Sequence, residues 1–374
     1  LNHVGSSCCR ERPRSSLVLY GCWRAFHASC MGQAVGRAIS ISDWVFPVFP
    51  PSYDATHKLL VHLPSEVGVE IPAMLVAPRA ARHELASLVT SCVIYFHANA
   101  CDIGQSVEDM LTFRDGALDG DAVVLCPEYP GYGLLHAYEP SVSGINRVAH
   151  AAWRYCLEEL GFAGEQVMLF GRSIGTGPAT ALAQSVASRS ARERPLELNP
   201  GAEEAALCAA HHGEARQAPR PVGGLVLMAP FTSIAAVVEH HVPGRLVASF
   251  VGPMWDVLEL VTDDSMEHVP LCVIHPKDDE VVPSSHGQAV FEQARCKTKY
   301  GVWLCNAGHN LYLKEEHLGV TRRFLQRLTR NARRARRRRS GADGSEAEEC
   351  WAIAEQLMHL GATQRAEEQL WMSL

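Results

Sequence analysis

The sequence predicts an α/β fold in which a mostly parallel sheet of eight strands is flanked by helices. Short apolar runs alternate with helical segments along most of the chain, as in strand–helix–strand units. Several runs are apolar throughout, which is typical of strands buried on both faces. With 374 residues, of which 47% are hydrophobic, the chain is long enough for one such domain of about 250 residues plus tails.

The predicted strands follow one another along the chain. Two antiparallel strands, 56–63 and 69–76, open the sheet. Those that follow are, in chain order, 92–96, 121–126, 166–170, 224–228, 271–274 and 301–305. Residues 143–160 are predicted to form an amphipathic helix, because apolar residues recur there at helical spacing: Ile145, Val148, Ala152, Cys156 and Leu160.

Residues 171–175 read Gly-Arg-Ser-Ile-Gly, directly after one predicted strand and before an alanine-rich helical run. A serine in this context lies on a sharp strand-to-helix turn, a nucleophile elbow, which exposes its hydroxyl above the sheet. Both flanking positions need glycine, because a side chain would collide with neighbouring backbone. The helix start also directs backbone N–H groups at the point where negative charge develops. Ser173 is therefore the candidate nucleophile.

Candidate partners for Ser173 follow two later strands. In folds with such an elbow, an acid and then a histidine come next in the chain. Asp278 and Asp279 both lie in the loop after strand 271–274, and His309 lies in the loop after strand 301–305.

An oxyanion hole is predicted from two loops. The loop after strand 92–96 contains Asn99, whose N–H is one candidate donor; the N–H of Ile174, the residue after the serine, is the other. The alternative is a plain strand-to-helix loop in which His97 has a structural role. The aromatic, glycine-rich loop 129–133 is predicted to shape a turn near the site, and no chemistry is assigned to it.

The remaining segments are predicted to be tails and an insertion. Residues 1–50 are predicted to be a flexible tail and residues 51–330 the folded domain, with a mobile insertion at 187–222 where helical periodicity is lost. Residues 331–374 are predicted to be a basic linker, with six arginines in the seven positions 333–339, and a short C-terminal helix.

Composition limits the partners and the compartment. The net charge of −7 includes no acidic block, and nucleic acid is not expected as a partner. For the arginine run 333–339 a solvated linker is predicted, and binding to an acidic membrane or nucleic acid is the alternative. The sequence contains no run of 18 apolar residues, so no transmembrane helix is predicted. The 13 cysteines include no C-x-x-C pair and favour reduced thiols in a cytosolic-type protein. The four cysteines of the N-terminal tail are either incidental or sites of palmitoylation. No cofactor or metal is expected.

Five short motifs between residues 44 and 329 carry a resemblance to a known family. They are His97-Ala98-Asn99-Ala100 with Asp102 and Gly104-Gln105, Tyr129-Pro-Gly131-Tyr132-Gly133, Gly171-Arg-Ser173-Ile-Gly175-Thr176, Asp279-Glu280-Val281 with Ser285-His286-Gly287, and Ala307-Gly308-His309-Asn310. Together they resemble the α/β-hydrolase domain 17 group, serine hydrolases at the cytosolic face of membranes that remove palmitate from protein cysteines.

The resemblance implies an α/β-hydrolase fold and a catalytic triad of Ser173, Asp279 and His309, and it favours Asp279 over Asp278 as the acid. It implies an acylated protein or a small acyl ester as substrate, and a cytoplasmic protein that contacts membranes peripherally through its N-terminal tail. A small-ester hydrolase or serine peptidase of the same fold, and a scaffold that has lost turnover, are the alternatives.

Two positions depart from the family pattern. Ala98 stands where the family usually has glycine, and we expect its methyl group to displace the oxyanion loop. Arg172 stands where the family usually has a neutral polar residue, and we expect it to alter what approaches the serine.

Overall fold

The computed structural model describes the following residues: 45–47, 49–65, 68–78, 80–193, 221–241, 254–311, 318–319 and 321–328. The chain divides into two compact units, Leu1–Pro47 and Val48–Leu374, and the elements below belong to the second. Most of the predicted tail 1–50, residues 194–220 of the predicted insertion and the whole predicted segment 331–374 lie outside the described residues. The predictions for these segments stay predictions.

One eight-stranded sheet runs through the second unit. Its strands are β1 (Leu60–Leu63), β2 (Ile71–Val76), β3 (Ser91–Phe96), β4 (Ala122–Pro127), β5 (Val167–Arg172), β6 (Gly224–Met228), β7 (Leu271–Pro276) and β8 (Lys299–Leu304). Their spatial order is β1-β2-β4-β3-β5-β6-β7-β8. β2 is antiparallel to β1 and β4, and all pairs from β4 to β8 are parallel. The predicted fold class, an eight-stranded and mostly parallel sheet, is confirmed.

The helices connect the strands and cover the sheet. They are α1 (Leu85–Leu88), α2 (Val107–Leu118), α3 (Val142–Glu158), α4 (Thr176–Glu193), α5 (Ile234–His241), α6 (Val257–Thr262) and α7 (Ser284–Gln293), and residues 318–319 and 321–328 are also helical. None of the helices in the described ranges is long and apolar enough to cross a membrane.

Burial follows the hydrophobic pattern of the sequence. Every residue of β3, β4 and β7 is buried, as expected of strands covered on both faces. The apolar stripe predicted for the helix at 143–160 is buried throughout. That helix, α3, begins after Ser141, whose hydroxyl accepts a hydrogen bond from the Gly144 N–H at 3.1 Å and caps the first turn.

Two predicted boundaries differ from the structure by more than two residues. The first strand begins at Leu60 rather than at residue 56, because the Asp54 carboxylate accepts hydrogen bonds from the N–H and the hydroxyl of Thr56 and closes a turn there. Helix α4 continues to Glu193, so the predicted start of the insertion at residue 187 lies inside a helix.

The strand register brings four loops to one edge of the sheet. Phe96 at the end of β3 pairs with Gly171 near the end of β5, and Pro276 at the end of β7 pairs with Leu304 at the end of β8. Because the carboxyl ends of parallel strands lie at the same edge, the loops that follow these strands are neighbours.

Candidate active site

Ser173 lies on a strained turn between β5 and α4. Its φ of 52° is in the left-handed region, which costs a non-glycine residue roughly 1–2 kcal/mol. A Cβ on Gly175 would lie 2.2 Å from the Phe96 carbonyl oxygen, and one on Gly171 would lie 2.5 Å from the Gly175 carbonyl oxygen. Both positions therefore exclude a side chain. The turn has the geometry that the Gly-x-Ser-x-Gly motif predicts.

The structure brings the three predicted triad residues into one hydrogen-bonded relay. His309 Nε2 lies 2.9 Å from the Ser173 hydroxyl, and His309 Nδ1 lies 2.8 Å from Asp279 Oδ2. With the proton on Nδ1, that group donates to Asp279 and Nε2 accepts from the serine hydroxyl. Asp278 is exposed, whereas Asp279 is buried and contacts the imidazole. The geometry thus favours Asp279 over Asp278 as the acid.

The surroundings of Asp279 stabilise its ionised form. Its Oδ1 accepts hydrogen bonds from the N–H groups of Val281 and Val282 at 2.9 and 2.7 Å. The buried imidazole of His275 donates from Nε2 to the Val282 carbonyl at 2.9 Å and lies 3.5 Å from Asp279 Oδ2. Burial raises the pKa of Asp279, but contacts with His275, His309 and the Val282 N–H outweigh it and hold that pKa well below its usual range. A carboxylate in this state can orient the imidazole and stabilise its charged form.

The predicted oxyanion donors lie in the two expected loops. Ile174 is buried in the turn Ser173–Gly175, and Asn99 follows β3, the strand that pairs with β5. Ala98, which stands where the family usually has glycine, is not among the described residues with positive φ. The left-handed residue of this loop is Ala100, with φ of 58°. The backbone at residue 98 therefore accommodates alanine without this form of strain, and the expected displacement of the loop stays a prediction.

The loop 129–133, to which no chemistry was assigned, contacts the loop after β3 that contains the candidate donor Asn99. The Tyr129 hydroxyl donates to the His97 carbonyl at 3.2 Å, and the Tyr132 hydroxyl donates to Asn99 Oδ1 at 2.6 Å. Tyr129 also stacks on the His97 ring at 3.9 Å between centroids. Tyr129 and Tyr132 stand beside glycines at the carboxyl end of a strand, and this is the sequence signal that could have indicated their contacts with the neighbouring loop.

His97 itself is part of the packing beneath the loop, as the structural alternative predicts. It is fully buried, and its Nε2 lies 3.2 Å from Glu128 Oε1, in a direction that does not satisfy hydrogen-bond geometry. Glu128 is also fully buried and accepts hydrogen bonds from the Tyr53 hydroxyl at 2.9 Å and the Ile103 N–H at 3.3 Å. The loop is thus supported by buried polar contacts from below.

The Arg172 side chain makes polar contacts inside the protein, and its expected effect on what approaches the serine stays a prediction. Its guanidinium pairs with Asp109 of α2 and donates a hydrogen bond to the Leu311 carbonyl at 3.2 Å. Only 12% of its side chain is exposed. The positive charge beside the nucleophile is therefore bound inside the protein.

Curated relatives of the chain are α/β-hydrolases. A protein of Acanthamoeba polyphaga mimivirus named as an α/β-hydrolase is 21% identical over 284 residues, which cover 75% of this chain and 89% of that protein. The α/β-hydrolase domain-containing protein aho-3 of Caenorhabditis elegans is 28% identical over 222 residues, covering 58% of this chain and 52% of that protein. The human α/β-hydrolase domain-containing protein 17C is 27% identical over 239 residues, covering 62% and 57%. This chain thus spans most of the viral relative and little more than half of the other two.

No family model matches the chain. Among solved structures, the esterase domain of a Rhodothermus marinus protein is 16% identical with a TM-score of 0.46, over 72% of this chain and 97% of that chain. Est1E from Butyrivibrio proteoclasticus is 12% identical with a TM-score of 0.48, over 73% and 98%. The curated relatives, together with the sheet order described above, support a hydrolase.

Proposed function

We propose that this chain, a relative of the α/β-hydrolases, is a serine hydrolase that cleaves acyl esters or thioesters and has palmitoylated protein cysteines as its substrates. The relay from Ser173 through His309 to Asp279 is the observation that carries the proposal. A hydroxyl within hydrogen-bond reach of a base, which is in turn oriented by a carboxylate, is the arrangement that activates a serine nucleophile.

In the first half of the reaction, the Ser173 oxygen attacks the acyl carbonyl and its proton passes to His309 Nε2. A bond forms between the serine oxygen and the acyl carbon, and the carbonyl oxygen becomes negatively charged. The protonated imidazole then gives its proton to the leaving sulfur or oxygen, the bond to that atom breaks, and an acyl-enzyme remains.

In the second half, a water molecule takes the place of the leaving group. His309 accepts a proton from the water as it attacks the acyl carbon, and returns that proton to Ser173 when the serine–acyl bond breaks. The products are the carboxylic acid and the regenerated serine. Asp279 stays ionised throughout and holds the imidazole in the tautomer that the cycle requires.

The N–H groups of Asn99 and Ile174 are assigned as the donors that bind the negatively charged oxygen of each tetrahedral intermediate. By analogy with measured cases, one such donor contributes about 3 kcal/mol to transition-state stabilisation. The short bond from Tyr132 to the Asn99 side chain supports this assignment, because it fixes the conformation of the residue whose N–H must point at the oxyanion.

The proposal that a palmitoyl thioester is the substrate rests on the relatives rather than on the geometry of the relay. The motifs resemble the domain 17 group, and a protein with that name is among the curated relatives at 27% identity. A cytoplasmic location and peripheral membrane contact through the N-terminal tail belong to the same proposal. They depend on residues 1–44, which lie outside the described residues.

A fluorophosphonate probe tests the reaction class. We expect the full-length chain to be labelled on Ser173, and we expect Ser173→Ala to abolish labelling, while Ser284→Ala serves as a control for loss of a serine near the site. A well-folded wild-type chain with no adduct on Ser173 would contradict the hydrolase proposal and favour a scaffold without turnover.

A comparison of substrates tests the acyl group. We expect turnover of a palmitoyl-cysteine peptide, with Ser173→Ala as the inactive control. If only short-chain esters or peptide bonds are cleaved, the depalmitoylase assignment is wrong and the small-ester hydrolase or peptidase takes its place.

A further inference from the structure

Two side chains of opposite charge hold the backbone of the loop that carries His309. The Glu280 carboxylate accepts a hydrogen bond from the His309 N–H at 3.1 Å, and the Arg172 guanidinium donates one to the Leu311 carbonyl at 3.2 Å. Within the loop, the Leu311 N–H bonds the Gly308 carbonyl at 3.2 Å. The base loop, residues 308–311, is therefore held on both sides of the imidazole.

The two holding residues are chain neighbours of the other members of the relay. Arg172 directly precedes Ser173, and Glu280 directly follows Asp279. Strands β5 and β7 place Ser173 and Asp279 at the edge of the sheet, so the same strands place the side chains that hold the base loop. Arg172, next to the nucleophile, and Glu280, next to the acid, thus both oppose movement of the base loop relative to Ser173.

Arg172 is itself held by helix α2. Its guanidinium pairs with Asp109, which also accepts a hydrogen bond from the Tyr95 hydroxyl at 3.2 Å. The side chains of the pair are 12% and 10% exposed. Burial lowers the pKa of Arg172, but Asp109 and Tyr95 outweigh it and hold that pKa above its usual value, so the guanidinium stays charged. Its fork of donors can reach Asp109 and Leu311 together, which a single ammonium group does less well.

We propose that Arg172 and Glu280 are positioning residues for His309, which keep its Nε2 within hydrogen-bond reach of the Ser173 hydroxyl. The inference rests on the proposed function, because it takes His309 as the base. Misplacement of a reacting group by about 1 Å can cost on the order of a hundredfold in rate. The position of the base affects proton transfer rather than substrate binding, so the expected defect lies in kcat.

The first test removes the Arg172 contact without leaving a buried charge unpaired. In the double variant Arg172→Met with Asp109→Asn, the new amide oxygen still accepts from Tyr95. For a soluble p-nitrophenyl ester we expect kcat to fall roughly 10- to 100-fold, with KM within about twofold of wild type. The rate of fluorophosphonate labelling of Ser173 should fall by the same factor.

Arg114→Met is the matched control for loss of an arginine. Arg114 lies on the same helix as Asp109, its side chain is 13% exposed, and it pairs with Asp115 at 2.7 Å. We expect this variant to keep the wild-type kcat.

The second test compares two variants of Glu280. The oxygen of Gln in Glu280→Gln can still accept from the His309 N–H, whereas Glu280→Ala has no acceptor. We expect kcat of Glu280→Ala to fall about tenfold and that of Glu280→Gln to return close to wild type. If the double variant does not fold, this pair decides the question alone.

Several outcomes would overturn the inference. One is an unchanged kcat and labelling rate in the double variant. Another is a fall in kcat of Arg114→Met equal to that of the double variant. The third is a kcat of Glu280→Gln as low as that of Glu280→Ala. A labelled and active wild type with any of these outcomes overturns this inference alone. A wild type that is not labelled on Ser173 overturns the proposed function and this inference with it.

Discussion

The hydroxyl of Tyr132 donates a hydrogen bond of 2.6 Å to the side-chain oxygen of Asn99. The two residues follow the paired strands β4 and β3, and Tyr132 is only 3% exposed. Burial and the nearby Glu128 carboxylate raise the pKa of Tyr132 far above its usual value, so the hydroxyl keeps its proton and acts as a donor. The Asn99 oxygen also accepts a hydrogen bond from the Ala100 N–H at 3.0 Å, so the side chain is bonded to the backbone of its own loop.

We expect Tyr132→Phe to lower kcat about tenfold, because loss of one hydrogen bond of about 1 kcal/mol frees the Asn99 side chain and loosens the loop that aims its N–H. Steady-state kinetics with a soluble ester would measure the change. Tyr138→Phe is the control, since Tyr138 is 48% exposed. Equal kcat for Tyr132→Phe and wild type would mean that the loop 129–133 does not position the oxyanion donor.

The succession of strands along the chain and the loops that carry the relay could be predicted because their signals are local. A Gly-x-Ser-x-Gly motif between a strand and a helix fixes the place of Ser173, and the later strands fix the loops of Asp279 and His309. The contacts of Arg172 could not be predicted in this way. Asp109 is 63 residues away and Leu311 is 139 residues away, and only the packed fold brings them to the guanidinium.

Strand order and loop position leave Asp278 and Asp279 as equal candidates, and at the level of the sequence only the motif resemblance favours Asp279. Both carboxylates stand in the same polar loop, and their sequence context is nearly the same. In the structure one is buried against His309 and the other is exposed. The start of β1 was mispredicted for a different reason, because the side chain of Asp54 competes with the strand for the backbone of Thr56.

Glycine substitutions at two neighbouring alanines should have opposite effects on stability. Ala100 is left-handed, so Ala100→Gly removes a conformational cost; Ala98 is not, so Ala98→Gly only adds freedom to the unfolded chain. We expect the first variant to exceed the second by about 1 kcal/mol in free energy of unfolding. Urea denaturation would measure the difference. The reverse order would mean that residue 98, where the family usually has glycine, is the strained position.

Alkylation of Cys101 should depend steeply on pH. Burial raises the pKa of this thiol to about 11, so on the order of 0.1% is thiolate at pH 8. We expect its rate of reaction with iodoacetamide to rise about tenfold per pH unit between 8 and 10. Cys305, which is exposed, should already react at pH 8 and provides the comparison within the same sample. Peptide mass spectrometry would follow both. Fast modification of Cys101 at pH 8 would mean that the surroundings of this partly buried thiol do not raise its pKa.

The stabilisation contributed by Asp279 should disappear in acid. Its pKa is lower in the folded protein than in the unfolded chain, where it is about 3.9, so the folded state binds the proton less tightly. Its contribution is therefore fully present above the unfolded pKa and is lost as the pH falls through that value toward the folded pKa.

We expect Asp279→Asn to lower the free energy of unfolding by about 1–3 kcal/mol at pH 7, and this difference from wild type to shrink below about pH 4. Urea denaturation between pH 3 and pH 8 would measure it. The exposed Asp278 supplies the matched variant, and Asp278→Asn should follow the wild-type pH dependence. A difference for Asp279→Asn that stays constant down to pH 3 would show that the contacts with His275 and His309 do not favour the ionised carboxylate.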